Sequence, residues 1–190
     1  MTCNCCGVDY NKLRETNKIW NQSKLGSPKS VGYLIEICER EHFYDSSDFK
    51  LWFNINRPNK LTDIAEAFSV IANIALDDAQ MITEHHIICE VWIGWDRESR
   101  ALQSLQTRYP KYIYSPVTKE EDYKYAVDIK VSLADTVVGY IQVKPKSWQG
   151  NADYLITAKQ AMKVKHNILF QDTGLKCIIL IDNNNNFEFI

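Results

Sequence analysis

The sequence predicts an α/β protein: a mixed β-sheet core flanked by helices, with a helical amino-terminal half. Three observations carry that prediction. Between residues 11 and 83 apolar residues recur at helical spacing, separated by Gly-, Pro- and Asn-containing breaks. The stretch YKYAVDIKVSLADTVVGYIQVKPKSW, residues 123–148, reads as two antiparallel strands about a turn at Ala134-Asp135-Thr136, cut off by Pro145. Beyond it a helical segment leads to the near-continuous apolar run Leu175–Ile181, which reads as a buried strand parallel to a neighbour and reached by a helical crossover.

Composition sets the outer bounds. At 190 residues the chain is long enough for one sizeable core and too short for two ordinary domains plus a linker, so a single domain over 1–190 is expected. Its two parts are a helical scaffold, 1–86, and an α/β core, 87–190. No run approaches the ~18 apolar residues of a membrane-spanning helix. The amino terminus, MTCNCCGVDYNK, has no basic start followed by an apolar stretch, so a signal peptide is not expected and the expected location is cytoplasmic. A formal net charge of -2 argues against a purely electrostatic nucleic-acid binder but leaves room for a local basic face.

The six cysteines fall into two sets. Cys38, Cys89 and Cys177 sit in apolar contexts and read as buried thiols. Cys3, Cys5 and Cys6 read as an exposed, oxidation-prone terminus, because no second cysteine or histidine pair follows at finger-like spacing.

Taken in order, Asn11–Lys24 is polar with Leu13, Ile19 and Trp20 as anchors, and Leu25–Ser30 is a punctuating loop. Val31–Glu41 reads as one helix with Val31, Leu34, Ile35 and Cys38 inward. A turn at Tyr44–Asp48 enters a short helix ending near Asn54, with Phe49, Trp52 and Phe53 on its apolar face. One long helix is expected from Lys60 or Thr62 to about Thr83. His85 and His86 form a junction and read as structural or solvent-facing, since neither HxH nor HExxH spacing supports them as ligands. Ile87–Trp92 reads as a short strand or as the start of the helix that continues to Pro110. In that helix Glu98 shares the side of Ala101 and Leu102. Lys111–Pro116 reads as a short edge strand, Thr118–Asp122 as a charged loop or helical turn, and Asp153 to about Ile168 as a helix. Asn183–Asn186 is a polar turn into a last strand.

Chemistry concentrates in the hairpin. Asp128 is expected inside an apolar strand, where a carboxylate is costly unless paired. Gln142 and Lys144, two apart on the next strand, share one face while Val143 points to the core. Asp128 followed by Gln142-Val143-Lys144 resembles the PD-(D/E)xK nuclease superfamily, with Gln142 in place of the usual carboxylate and Val127 in place of the proline. Pro28–Gly32, Phe49–Trp52, Asp128-Ile129 and Val143–Pro145 together look like small type II restriction endonucleases of the archaeal CTAG-cutting kind.

The resemblance implies a restriction-endonuclease-like fold and a Mg2+-dependent endonuclease acting on double-stranded DNA at a short palindrome as a homodimer. It implies Glu98, Asp128, Gln142 and Lys144 as the catalytic set, with Glu90 in reserve for Glu98. Asp128, Glu98, the Gln142 amide oxygen or the Val143 carbonyl would ligate Mg2+, and Lys144 would stabilise the developing charge. Lys146, Lys159 and Lys163 are the expected phosphate contacts. Two alternatives stand beside this. One is a catalytically silent DNA-binding or assembly module of the same fold. The other is a non-enzymatic interaction protein in which Asp128 and Lys144 form a buried ion pair. No P-loop, G-x-G-x-x-G, G-x-S-x-G or HExxH motif points to another enzyme class.

Overall fold

Caps and left-handed residues, more than hydrophobic period, set where the amino-terminal helices begin and end in the computed structural model. The described residues are 2, 3, 5–184 and 186–190, with Pro28 and Lys29 described by backbone alone. The chain divides into two compact units, Met1–Trp95 and Asp96–Ile190, where the sequence reading divided it after residue 86.

In the first unit Asp9 caps α1 (Tyr10–Ser23) by accepting from the Asn11 N–H, and Lys24 in the left-handed region closes it. The helix buries Leu13, Thr16 and Trp20, one face at i, i+3 and i+7. The single helix expected over Val31–Glu41 is instead a turn, α2 (Pro28–Val31), and α3 (Leu34–Glu41). Gly32 separates them at φ +76°, where an added Cβ would lie 2.8 Å from the Arg57 guanidinium. The break rotates α3, so Leu34, Ile37 and Cys38 face inward and Ile35 faces out. Asp45 caps α4 (Ser46–Asn56) through the Ser47 and Asp48 amides, and Phe49 and Phe53 are fully buried.

The long helix expected to run to Thr83 is also two: α5 (Lys60–Ala72) and α6 (Leu76–Glu84). Asn73 breaks it at φ 52°, a conformation asparagine tolerates, and the Ser69 hydroxyl closes the turn onto the Ile74 carbonyl. A five-residue π-turn, His85–Cys89, follows, defined by the Glu90 N–H bonding the His85 carbonyl, and runs into α7 (Glu90–Arg108). Ile87–Trp92 is therefore helical and not a strand. Phe49, Phe53, Phe68, Ile82, Ile87 and Ile88 fill the core of this unit. Each contributes about 1.5–3 kcal/mol through burial.

The second unit holds a five-stranded mixed sheet in the order β1-β2-β3-β4-β5. β1 (Ile113–Pro116) is the expected edge strand, antiparallel to β2 (Ile129–Leu133). β2 forms a hairpin with β3 (Thr136–Pro145) around Ala134 at φ 50°. β3 pairs parallel with β4 (Cys177–Asn183) through the crossover helix α9 (Asp153–Thr173), and β5 (Asn186–Phe189) pairs antiparallel with β4. Asn185 of the expected turn lies outside the described residues. The mixed sheet flanked by helices is thus present as a general α/β architecture.

Two boundaries differ from expectation. β2 begins only at Ile129, although the stretch read as strand opens at residue 123, because the Thr118–Glu121 capping box starts α8 (Lys119–Tyr125), and Ala126 at φ 53° ends it. α9 continues past Ile168 to Thr173, where Gly174 supplies a left-handed cap. Ala101 and Leu105 of α7 pack on Ile129, Ile141, Val143, Leu180 and Phe187. Leu169 of α9 packs with Val127 and Tyr140. Gln142, two residues on from Tyr140, is consequently buried as well as Val143, which the strand alternation alone did not imply.

Candidate metal centre

The described residues between Thr2 and Asp9 fold into a small knuckle. Thr2 bridges Asp9, the Cys3 N–H bonds the Val8 carbonyl at 2.9 Å, and the Gly7 N–H bonds the Cys3 carbonyl at 2.9 Å. Gly7 turns the chain at φ +77°. The turn places Cys3 and Cys6, three apart, on one side. His85 and Cys89 lie at the two ends of the π-turn, four apart and therefore on one helical face. Together Cys3, Cys6, His85 and Cys89 form a group in which one ligand atom from each lies within 4.8 Å of all the others. Cys3, His85 and Cys89 are buried.

The donor set and its spacing suit a zinc ion. A sulfur at ~2.3 Å and an imidazole nitrogen at ~2.0–2.1 Å from one zinc are separated by about 3.5–3.6 Å at the tetrahedral angle. The Cys6 Sγ to His85 Nδ1 distance is 3.6 Å. On the far side of the ring His85 Nε2 lies 3.8 Å from Glu90 Oε1, the position of a carboxylate that orients a metal-bound histidine. Glu90 also takes His86 Nδ1 at 2.8 Å, while His86 stacks on Trp20 with ring centroids 4.6 Å apart. One histidine of the pair faces the thiols; its neighbour is held by packing.

Electrostatics follow from burial. Burial pushes the Cys6 thiol up to about 11, and pushes the Cys89 thiol up further. For Cys3 burial acts the same way, but the Cys6 and Cys5 backbone amides bonded to its sulfur outweigh it, and the net direction is down. Burial lowers His85, keeping the imidazole in its neutral, ligating form. Zinc entering this group would displace protons from the thiols and supply positive charge that compensates the thiolates burial otherwise disfavours.

This centre corrects three expectations. The Cys3–Cys6 terminus, expected exposed, buries Cys3 and half-buries Cys6, although Cys5 is exposed. His85 is a candidate ligand and not a solvent-facing residue. The candidate metal is zinc-type and not Mg2+: among the described residues this group offers three thiols and an imidazole, soft and borderline donors, where Mg2+ requires oxygen. The second ligand pair escaped sequence reading because it lies 79 residues downstream of Cys6 as His-x-x-x-Cys on a helix. The available signal was a C-x-x-C followed directly by glycine.

The residues singled out in the α/β unit do come together in part. Burial pushes Glu98 up to about 8, with Asp128 and Asp122 adding to the rise and Lys144 and Arg97 opposing it. Burial likewise pushes Asp128 up to about 6, against Lys144 and two hydrogen bonds. Those bonds come from Gln142 Nε2 at 2.5 Å and the Val143 N–H at 2.7 Å, both to Asp128 Oδ2. Gln142 thus turns its NH2 to the carboxylate, and Val143 meets it through its amide, not its carbonyl. Asp128 precedes β2, though its N–H still bonds the Ile141 carbonyl at 2.9 Å.

Of the three lysines expected at phosphates, Lys146 and Lys163 have exposed side chains and Lys159 donates to the Gly150 carbonyl at 2.8 Å. Lys159 and Lys163 border a groove of about 470 Å³ with Trp148, Met162, His166 and Ile179. Lys144 Nζ lies 5.5 Å over the Trp148 ring.

No protein-family model, curated protein or solved structure matches the chain. The expected Mg2+-dependent deoxyribonuclease, with its hydrolase and restriction activity, is overturned by the thiol-imidazole group as the metal-binding arrangement of the described residues. No helix among them is long and apolar enough to cross a membrane.

Proposed function

We propose that the protein is a non-enzymatic binding module whose helical unit is closed by a structural zinc ion. The single observation that carries this reading is the four-ligand group Cys3, Cys6, His85 and Cys89, which leaves no open position for substrate. Four protein donors around zinc make a structural site, whereas a catalytic one keeps a coordination position for water. The ion would tie the knuckle to the π-turn and so close the helical unit on itself.

In the second unit we read the Glu98–Asp128–Lys144 cluster as structural, with Asp128 occupied by Gln142 and Val143. The chain is then a catalytically silent relative of the superfamily it resembles. Double-stranded DNA is the proposed partner and a homodimer the proposed form. Lys159 and Lys163, which line one groove with Trp148 on a chain of net charge -2, support the first.

Metal analysis of the purified protein, followed by titration with labelled duplex DNA in Mg2+, tests the reading. One zinc per chain is expected, with salt-sensitive binding and intact DNA. Replacing Lys146, Lys159 and Lys163 by alanine lowers the salt slope by about 0.9 for each phosphate that a lysine had neutralised. A metal-free native protein, or DNA nicking that Asp128→Ala abolishes, overturns it.

A further inference from the structure

One thiol beside the centre is left unused by it. Cys5 is exposed, its thiol donates to the Ser46 hydroxyl at 3.2 Å, and its Sγ lies 2.8 Å from that of Cys89. Two thiolates sharing one tetrahedral zinc stand about 3.8 Å apart, so Cys5 is too near Cys89 to be its co-ligand. It is instead within reach of a sulfur–sulfur bond of about 2.05 Å. The pair has one member open to solvent and one in the ligand group.

We propose that Cys5 is an oxidation site for hydrogen peroxide, and that its disulfide with Cys89 ejects the zinc ion. This rests on the zinc reading above. The Cys5 sulfur, having given its proton to water, attacks one peroxide oxygen. The O–O bond breaks, an S–O bond forms, and the other oxygen leaves as water after protonation. Cys5 is now a sulfenic acid and the peroxide is reduced. The Cys89 sulfur then uses its zinc-bound electron pair to attack the Cys5 sulfur. The Zn–S and S–O bonds break, the S–S bond forms, and hydroxide leaves as a second water. Overall one thiol, one zinc-bound thiolate, one hydrogen peroxide and one proton from solvent give one disulfide, two waters and the free zinc ion. Zinc, left with Cys3, Cys6 and His85, dissociates. Solvent admits the oxidant at Cys5, whereas buried Cys89 is shielded from direct attack.

The experiment uses the zinc-loaded full chain and hydrogen peroxide. Zinc release is followed with a chromogenic chelator, and disulfides are mapped by mass spectrometry. The expected result is release that tracks a Cys5–Cys89 disulfide and that slows at least ~10-fold in Cys5→Ser, a variant retaining one zinc. Release from Cys5→Ser at the wild-type rate overturns the proposal. So does a Cys3–Cys6 disulfide as the first product, and so does loss of zinc from unoxidised Cys5→Ser, which would make Cys5 a ligand. If the native protein carries no zinc, the metal reading fails by itself. The mapped disulfide of the metal-free chain still decides the Cys5–Cys89 pairing.

Discussion

Glu98→Gln removes a titration that works against the fold as pH rises. Burial pushes the Glu98 carboxyl up to about 8, with Asp128 and Asp122 adding to it. In the unfolded chain a glutamate titrates near 4.3. The folded protein therefore holds a proton that the unfolded chain has released across this window. The sign follows: with more protons bound in the native state, stability falls as pH rises from about 4.3 to 8. Each pH unit inside the window costs at most ~1.4 kcal/mol. Between pH 5.5 and 8 that reaches about 3 kcal/mol, and residual solvent contact together with the shared titration of Asp128 reduces it to about 2 kcal/mol. Glutamine is the isostere of the protonated acid and does not titrate. Urea denaturation at the two pH values, read by circular dichroism, measures the effect. The variant's advantage over wild type grows by about 2 kcal/mol between pH 5.5 and pH 8. An equal gap at both pH values refutes the reasoning, since it means that Glu98 does not change protonation between them.

Further outcomes follow from other parts of the chain. His85→Ala leaves three thiols for zinc and lowers zinc affinity at least ~10-fold, measured by competition with a chromogenic chelator. Zinc competes with protons at Cys6 and Cys89, whose thiols burial pushes up, so acid favours the metal-free form. Apparent affinity should fall by ~10-fold or more for each pH unit between 7.5 and 5.5, and an equilibrium dialysis series checks it. Gly32→Ala places a Cβ at φ +76° and 2.8 Å from Arg57, whose guanidinium bonds the Val31 carbonyl. A loss of about 1–2 kcal/mol in denaturant unfolding is expected.

The α/β half was the more legible part of the chain. The hairpin, the edge strand, the crossover helix and the parallel β3/β4 pair each carry a local pattern that only one arrangement satisfies. The helical half was less so, because its breaks rest on single residues at positive φ. Gly32 and Asn73 interrupt apolar periods that otherwise run straight through them. At the candidate centre Cys3 and Cys6 were visible as a pair, but nothing local ties them to His85 and Cys89. Tertiary folding alone makes that connection. Glu98, Asp128 and Lys144 were legible as a cluster. Their surroundings were not, since the burial of Gln142 depends on how the crossover helix α9 packs on the sheet.

The knuckle and the π-turn are far apart in sequence but meet in space, so a zinc ion joining them fastens a ring of chain and acts as a clasp. Cys6 and His85 are 79 residues apart. A cross-link spanning a ring of that size removes about 4 kcal/mol of loop entropy from the unfolded chain. The order of synthesis gives the clasp its timing. The segments of helices α1 to α6 are all synthesised before His85 and Cys89 exist, so the complete ligand group forms only after them. The metal locks a bundle already synthesised, and its removal should speed unfolding of this unit far more than it slows folding.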